Sequence, residues 1–214
     1  MVDISVFCFN LFNENTYLVY QKDGECLIID PGNSEKKEFE ILIKFIEDHA
    51  LKPRMIINTH CHVDHVLGVN DLKNKFNIPF YIHPAELPIL NSVVLYAGMY
   101  GFPGFSEPKP DGFIRDGERI GIADSSWEIL HIPGHSPGHI ALYEKSRAVC
   151  VVGDVLFRNS IGRTDLPGGD FNTLLAGIKN KLFTLPDHVE IFSGHGPSTS
   201  IGYEKKHNPF CKEA

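Results

Sequence analysis

Apolar and polar residues alternating from Val2, and β-branched and other apolar residues over Asn15–Tyr20 and Glu25–Ile29, predict strands at Val2–Phe9, Asn15–Tyr20 and Glu25–Ile29. Asn13, Lys22-Asp23-Gly24 and Asp30-Pro31-Gly32 supply the turns between and after them. The period then changes: Phe39, Leu42, Ile43 and Ile46 recur at three- and four-residue spacing. This predicts a helix over Lys36–His49 with Ser34 as its N-cap. Arg54–Ile57 predicts a strand running into Asn58-Thr59-His60-Cys61-His62, followed by a helix over Gly68–Phe76 and a strand at Pro79–Ile82. Pro84–Tyr100 has helical content that Pro88 is expected to interrupt, and Gly101–Gly112 is rich in Gly, Pro and Phe. Residues 84–112 are therefore expected to form a lid or excursion within the domain. Strands at Trp127–Ile132, Ile140–Glu144 and Ala148–Gly153, a helix at Phe171–Leu182 and a strand at Glu190–Ser193 complete the pattern. Strands with few helices, twice over, predict two sheets packed face to face with helices outside. The fold class is α/β (α+β by some schemes), a four-layer αββα sandwich in a single domain spanning residues 1–214.

Composition narrows the function more than the fold. Apolar residues make up 43% of the chain and charged residues 22%, a globular balance. A net charge of −7 gives no basic footprint, so neither nucleic acid nor an anionic membrane surface is expected as a partner. No apolar run approaches the ~18–20 residues of a membrane span, and the start of the chain does not read as a signal peptide. The cysteines, Cys8, Cys26, Cys61, Cys150 and Cys211, are odd in number and lack C-x-x-C spacing. A cytoplasmic protein with mostly buried, reduced thiols is expected.

The eleven histidines redirect the reading to metal chemistry. Thr59-His60-Cys61-His62-Val63-Asp64-His65 places three imidazoles and a carboxylate directly after an apolar strand. In an extended segment His60 and His62 point to the same side and can meet one cation, while Asp64 and His65 can face a second. Cys61 alternates to the other side and is expected to pack. Further ligand candidates close later strands: His135 in Pro133-Gly134-His135-Ser136-Pro137-Gly138-His139, Asp154 after Val151-Val152-Gly153, and His195 in Ser193-Gly194-His195-Gly196-Pro197. His131 and His139 flank the ligand turn as outer hydrogen-bond partners. His49, His83, His188 and His207 read as surface or turn residues.

The segments T-H-C-H-V-D-H, P-G-H-S-P-G-H, G-D-V-L-F and G-H-G-P, in this order and spacing, resemble the metallo-β-lactamase superfamily over nearly the whole chain. Asn159-Ser160-Ile161-Gly162-Arg163-Thr164-Asp165-Leu166-Pro167-Gly168-Gly169 and the terminal Asn208-Pro209-Phe210 resemble its short glyoxalase II-like (hydroxyacylglutathione hydrolase-like) members. The resemblance implies that His60, His62 and His135 bind one metal and Asp64, His65 and His195 a second, with Asp154 bridging. It also implies that Asp30 orients a ligand histidine, against the alternative of simple turn chemistry. Two divalent cations are implied, with zinc favoured and iron or manganese as alternatives.

Such cations, ~3.5–4 Å apart, lower the pKa of a bridging water from ~15.7 toward neutrality. The implied activity is hydrolysis of a small-molecule thioester of the S-lactoylglutathione type by that metal-bridging hydroxide, with Asp64 and Asp154 as the catalytic carboxylates. Arg163, Ser160 and Gly162 are the substrate-binding candidates. The family's glutathione-contacting segment has a lysine and, two positions on, a tyrosine, where this chain has Arg163 and Asp165. Arg163 either grips a substrate carboxylate or pairs internally with Asp165 or Asp170. Only nineteen residues follow His195, so the C-terminal helical domain of full-length glyoxalase II enzymes is not expected. The apolar stretch Leu95, Tyr96, Met99, Tyr100, Phe102, Phe105 serves one of three roles: helix packing, groove wall or dimer contact. The alternative function is that of the persulfide dioxygenases, which share T-H-C-H-x-D-H and G-R-T-D and hold a single iron on the counterparts of His60, His135 and Asp154.

Overall fold

The computed structural model describes residues 2–212. The chain divides into two compact units, Met1–Ile114 with Ile122–Asp124, and Arg115–Gly121 with Ser125–Ala214. The first contains β1 (Val2–Phe9), β2 (Glu14–Gln21), β3 (Glu25–Ile29), β4 (Lys52–Ile57), β5 (Phe80–Ile82) and β6 (Gly112–Phe113), hydrogen-bonded in sequence order. The first three strands form an antiparallel meander, and β3 to β6 run parallel. Parallel neighbours need crossovers, which are supplied by α1 (Lys36–Asp48), α2 (Val63–Val66) with α3 (Val69–Phe76), and α4 (Leu87–Tyr96). Their apolar faces, including Leu42 and Ile46 of α1, Leu72 of α3 and Leu90 and Val93 of α4, join Leu18, Ile28, Ile56 and Phe80 of the sheet in one buried cluster. Ile29 of β3 pairs with Ile57 of β4. The parallel register thus brings Asp30 level with the start of the histidine-rich segment.

Two helix starts differ from the expectation. Glu35, not Ser34, is the N-cap of α1, because Glu38 reaches back to accept from the Glu35 amide at 3.2 Å and the Ser34 amide at 2.7 Å. The Ser34 hydroxyl bonds to the same carboxylate instead of capping. Pro88 does not interrupt a helix but lies in the first turn of α4, where its missing N–H leaves no bond unmade. Within residues 84–112, α4 sends Ile89, Leu90 and Val93 into the buried cluster, while Leu95 and Met99 are exposed.

The second unit contains β7 (Arg119–Ile122), β8 (Ser125–His131), β9 (Ile140–Glu144), β10 (Val149–Gly153), β13 (Glu190–Ser193) and β14 (Thr199–Ser200) as a six-stranded sheet in the order β14-β13-β10-β9-β8-β7. A separate hairpin joins β11 (Leu156–Phe157) to β12 (Ser160–Ile161) through the two-residue turn Arg158-Asn159. Helix α5 (Phe171–Gly177) passes into a π-helical turn over Ile178–Leu182, and α6 (Ile201–His207) follows β14. Leu174, Ile178, Leu182 and Ile201 pack with Ile132, Cys150, Val152 and Ile191 of the sheet. Strands β10 and β13 are parallel, with Gly153 opposite Ser193. Asp154 and His195 therefore leave the sheet at the same end.

Cys26, Cys61, Cys150 and Cys211 are buried and Cys8 is exposed. Burial pushes the thiol pKa of Cys26 up to about 12 and that of Cys211 up to about 11, and raises those of Cys61 and Cys150 as well. Thiolates are the reactive form, so at pH 8 a disulfide reagent is expected to modify Cys8 rapidly and the other four only after denaturation. More than one fast equivalent in the native protein contradicts this core. Leu42→Ala in α1, at a fully buried position, is expected to lower unfolding free energy by about 2–5 kcal/mol. Ile41→Ala one residue away, at a side chain 45% exposed, is expected to change it by less than about 0.5 kcal/mol in the same urea titration.

Candidate metal centre

In the first unit the segment after β4 is held by side chains from other elements. Asp30, 1% exposed with φ +49°, takes the left-handed conformation that closes β3. One carboxylate oxygen accepts from the Thr59 amide and the other from the Thr59 hydroxyl, both at 2.6 Å. The second oxygen also lies 3.2 Å from His65 Nδ1. The Thr59 hydroxyl in turn is 3.1 Å from His60 Nδ1. Hydrogen bonding at Nδ1 leaves Nε2 as the metal-binding nitrogen of each ring. Asp30 thus orients His65 directly and His60 through Thr59, and it is more than a turn residue.

Other supports carry no sequence signature. Asn58 donates to the His65 carbonyl at 2.5 Å, and Asn10 donates to the carbonyls of Gly32 and Asp64 at 2.9 and 3.0 Å. Glu86, fully buried, accepts from the Cys61 amide at 2.8 Å. The His60 and His62 rings stand nearly perpendicular at 4.8 Å, and His65 lies 4.1 Å from His60. Cys61 packs in the apolar cluster, where burial above all, with Glu86 and Asp30 nearby, pushes its thiol pKa up.

In the second unit Asp154, His135 and His195 converge. Asp154 Oδ2 is 3.6 Å from His135 Nε2 and 3.6 Å from His195 Nε2. In the first unit Asp64 Oδ2 stands 3.6 Å from His65 Nε2. These separations exceed a hydrogen bond, which ends near ~3.2 Å. Two ligands at ~2.0–2.1 Å from one tetrahedral cation lie about 3.4 Å apart. The side chains present therefore fit divalent cations in both donor chemistry and spacing, and one Asp154 oxygen stands equally near His135 and His195.

The second unit also fixes tautomers through its backbone. His135 Nδ1 bonds the Arg163 carbonyl at 2.8 Å, and the Asp154 amide donates to His139 Nε2 at 3.0 Å. His131 Nε2 meets the Pro137 carbonyl at 3.0 Å, within the ligand loop. Both outer histidines thus take the supporting places expected of them. Gly134 has φ +127°, and a Cβ there would lie 2.3 Å from the Leu174 amide nitrogen. At Gly162 a Cβ would lie 1.9 Å from the Asp154 carbonyl oxygen and 3.0 Å from His135 Nδ1. Gly162, expected at the substrate, is thus also required by close packing behind two candidate ligands.

Beside these ligands is a cavity of about 510 Å³ whose lining includes His135, Asp154, His195, Arg158, Ser160 and Arg163. Arg163 makes a bidentate ion pair with Asp165 at 2.7 and 2.8 Å, which holds that carboxyl down at about 2. The internal partner is therefore Asp165; Asp170 instead caps α5 through the Thr173 amide. Ser160 lines the cavity as expected, and Arg158 was not foreseen.

The sequence matches the metallo-beta-lactamase superfamily model over residues 10–195. It is 37% identical over 211 residues, covering 98% of each chain, to the hydroxyacylglutathione hydrolase GloC of Haemophilus influenzae. Among solved structures, the BLEG-1 B3 metallo-beta-lactamase is similar at a TM-score of 0.88 and 37% identity, covering 99% of this chain and 100% of that one. TTHA1623, solved in a di-iron-bound form, is similar at 0.86 and 38% identity, covering 96% and 99%.

Asp30→Asn retains a side chain that tolerates the left-handed backbone but removes the charge shared by Thr59 and His65. Metal affinity, followed by competition with a chelator, is expected to fall about 10–100-fold. An unchanged affinity would show that Asp30 serves only the turn.

Proposed function

This chain belongs to the metallo-β-lactamase superfamily and has its fold, and from that premise we propose that it hydrolyses a thioester of the hydroxyacylglutathione type at a centre of two divalent cations. The coarser statement needs no proposal: it is a metallo-hydrolase of a family that binds divalent metals and acts on small molecules. The observation that carries the finer reading is the single Asp154 oxygen standing 3.6 Å from two imidazole nitrogens, which suits a carboxylate shared by two ions. We assign His60, His62 and His135 to one ion, Asp64, His65 and His195 to the other, and Asp154 to both. Zinc suits this nitrogen and carboxylate set, as do iron and manganese; the di-iron form of the TTHA1623 relative keeps iron in view. A setting in the cytoplasm agrees with five free cysteines.

The bound cations would supply Lewis acidity, activating water near neutral pH and polarising the acyl carbonyl. The chain's own contribution is positional. The Arg163 carbonyl and the Asp30 carboxylate fix His135 and His65 with Nε2 presented, so no reorganisation accompanies the reaction. Asp64 and Asp154 are the carboxylates that would help hold the cations and orient the reacting water. In the net reaction a C–O bond to water forms, the C–S bond breaks, and the proton released from water ends on the departing thiolate. The 510 Å³ cavity beside Asp154 is large enough for a small acyl thioester. The hydrolase name carried by the 37% identical Haemophilus relative favours the same substrate class.

Elemental analysis of the purified protein is expected to give about two metals per chain, with S-lactoylglutathione hydrolysis in the same sample. Asp154→Ala is expected to lower metal content and to reduce kcat at least about 1000-fold. One iron per chain, no thioester hydrolysis and oxygen uptake with glutathione persulfide would replace this reading with the dioxygenase.

A further inference from the structure

The β11–β12 hairpin is unusually well anchored for a two-strand element. Its turn residue Asn159 has φ +60°, and the Asn159 amide donates at 3.0 Å to Glu204. Glu204 is fully buried in α6. It also accepts from the Thr199 hydroxyl and, at 2.8 Å, from the Asn208 side chain. Asn208 in turn donates to the Ser160 carbonyl at 2.9 Å. The C-terminal helix and the residues after it thus clamp a six-residue hairpin at Asn159 and Ser160. A buried carboxylate used for this purpose costs desolvation, which asks what the fixed turn presents.

It presents Arg158. The Arg158 guanidinium carbon lies 5.1 Å above the Tyr203 ring, and Tyr203 is itself backed by the His207 ring at 4.6 Å. Stacking occupies the face of a guanidinium and leaves its N–H edge available for a bidentate acceptor. Among the described residues no carboxylate pairs with Arg158, whereas the neighbouring Arg163 is neutralised by Asp165. Both arginines line the cavity that also contains His135, Asp154 and His195. In a chain of net charge −7, a pre-oriented and unmatched cation at that cavity is a recognition element.

We infer that Arg158, stacked on Tyr203 and fixed by the Glu204–Asn208 clamp, anchors a carboxylate on the thiol portion of the substrate. This deepens the thioesterase reading and rests on it for the identity of the ligand. Arg158 is a specificity-determining residue and takes no part in bond breaking. Lysine at this position keeps the charge but loses the planar fork.

The test uses metal-loaded full-length protein and S-hexylglutathione, a non-hydrolysable probe, beside its dimethyl ester, which lacks both carboxylates. Calorimetric titration is expected to show wild type preferring the free acid, and Arg158→Ala weakening it about tenfold or more while the diester changes less than about twofold. Arg158→Lys is expected to fall between, and the side chain's exposure makes misfolding of either variant easy to exclude by thermal melting. The inference is overturned by a wild type that does not distinguish acid from ester, or by an Arg158→Ala that loses both equally or neither. Thioester turnover is measured separately. A wild type that hydrolyses no thioester but shows Arg158-dependent binding of the acid would sink the proposed function and leave the anchor standing.

Discussion

A carboxylate buried to 1% exposure at the end of a strand is costly unless it is hydrogen-bonded, and Asp30 makes three bonds to two residues. The parallel pairing of β3 with β4 makes this arrangement possible, because Ile29 and Ile57 stand opposite each other and the next residues must meet. The left-handed backbone at Asp30 turns its side chain toward Thr59 rather than along the strand. From this one contact follow the tautomers of His60 and His65, and hence which nitrogen each ring offers. Charge-assisted bonds of this kind are about twice as strong as neutral ones, so the segment is held before any cation arrives.

The second unit reaches the same end by different means. Its candidate ligand His135 and the outer His139 are both held by main-chain groups, the Arg163 carbonyl and the Asp154 amide. Main-chain partners ask little of side-chain identity but much of backbone position, which is why two glycines are needed where Leu174 and the Asp154 carbonyl press close. The Arg163 side chain is released from the support role and pairs with Asp165 across two positions.

This difference also explains what could be read from the chain before its structure. The strands, the H-x-H-x-D-H segment and the strand-end His135, Asp154 and His195 are all local patterns, and local patterns survive in sequence. Supports acting at long range do not. Glu86 is 25 positions from the amide it accepts and Glu204 is 45 from Asn159, and each looks in sequence like an ordinary surface acid. The Ser34 cap failed because the Ser34 hydroxyl bonds the Glu38 carboxylate, which reaches back to the Ser34 and Glu35 amides. Pro88 misled because a proline in a first turn and a proline in a helix interior are the same letter. The two-residue strands β11 and β12 are too short to show any period, so the hairpin carrying Arg158 could not be seen.

A second buried acid lies beside His65. Glu14, fully buried, has a carboxyl pKa pushed well above its usual range by desolvation, more than the nearby His65 pulls it back. It stands 3.9 Å from His65 Nδ1 and accepts from the Thr16 hydroxyl, so it contributes shape and hydrogen bonding. Chemistry is thus confined to a few buried, fully specified groups. On the proposed reading, selection of the thiol portion falls to the exposed Arg158 on a surface hairpin, where substitution leaves the ligand supports intact.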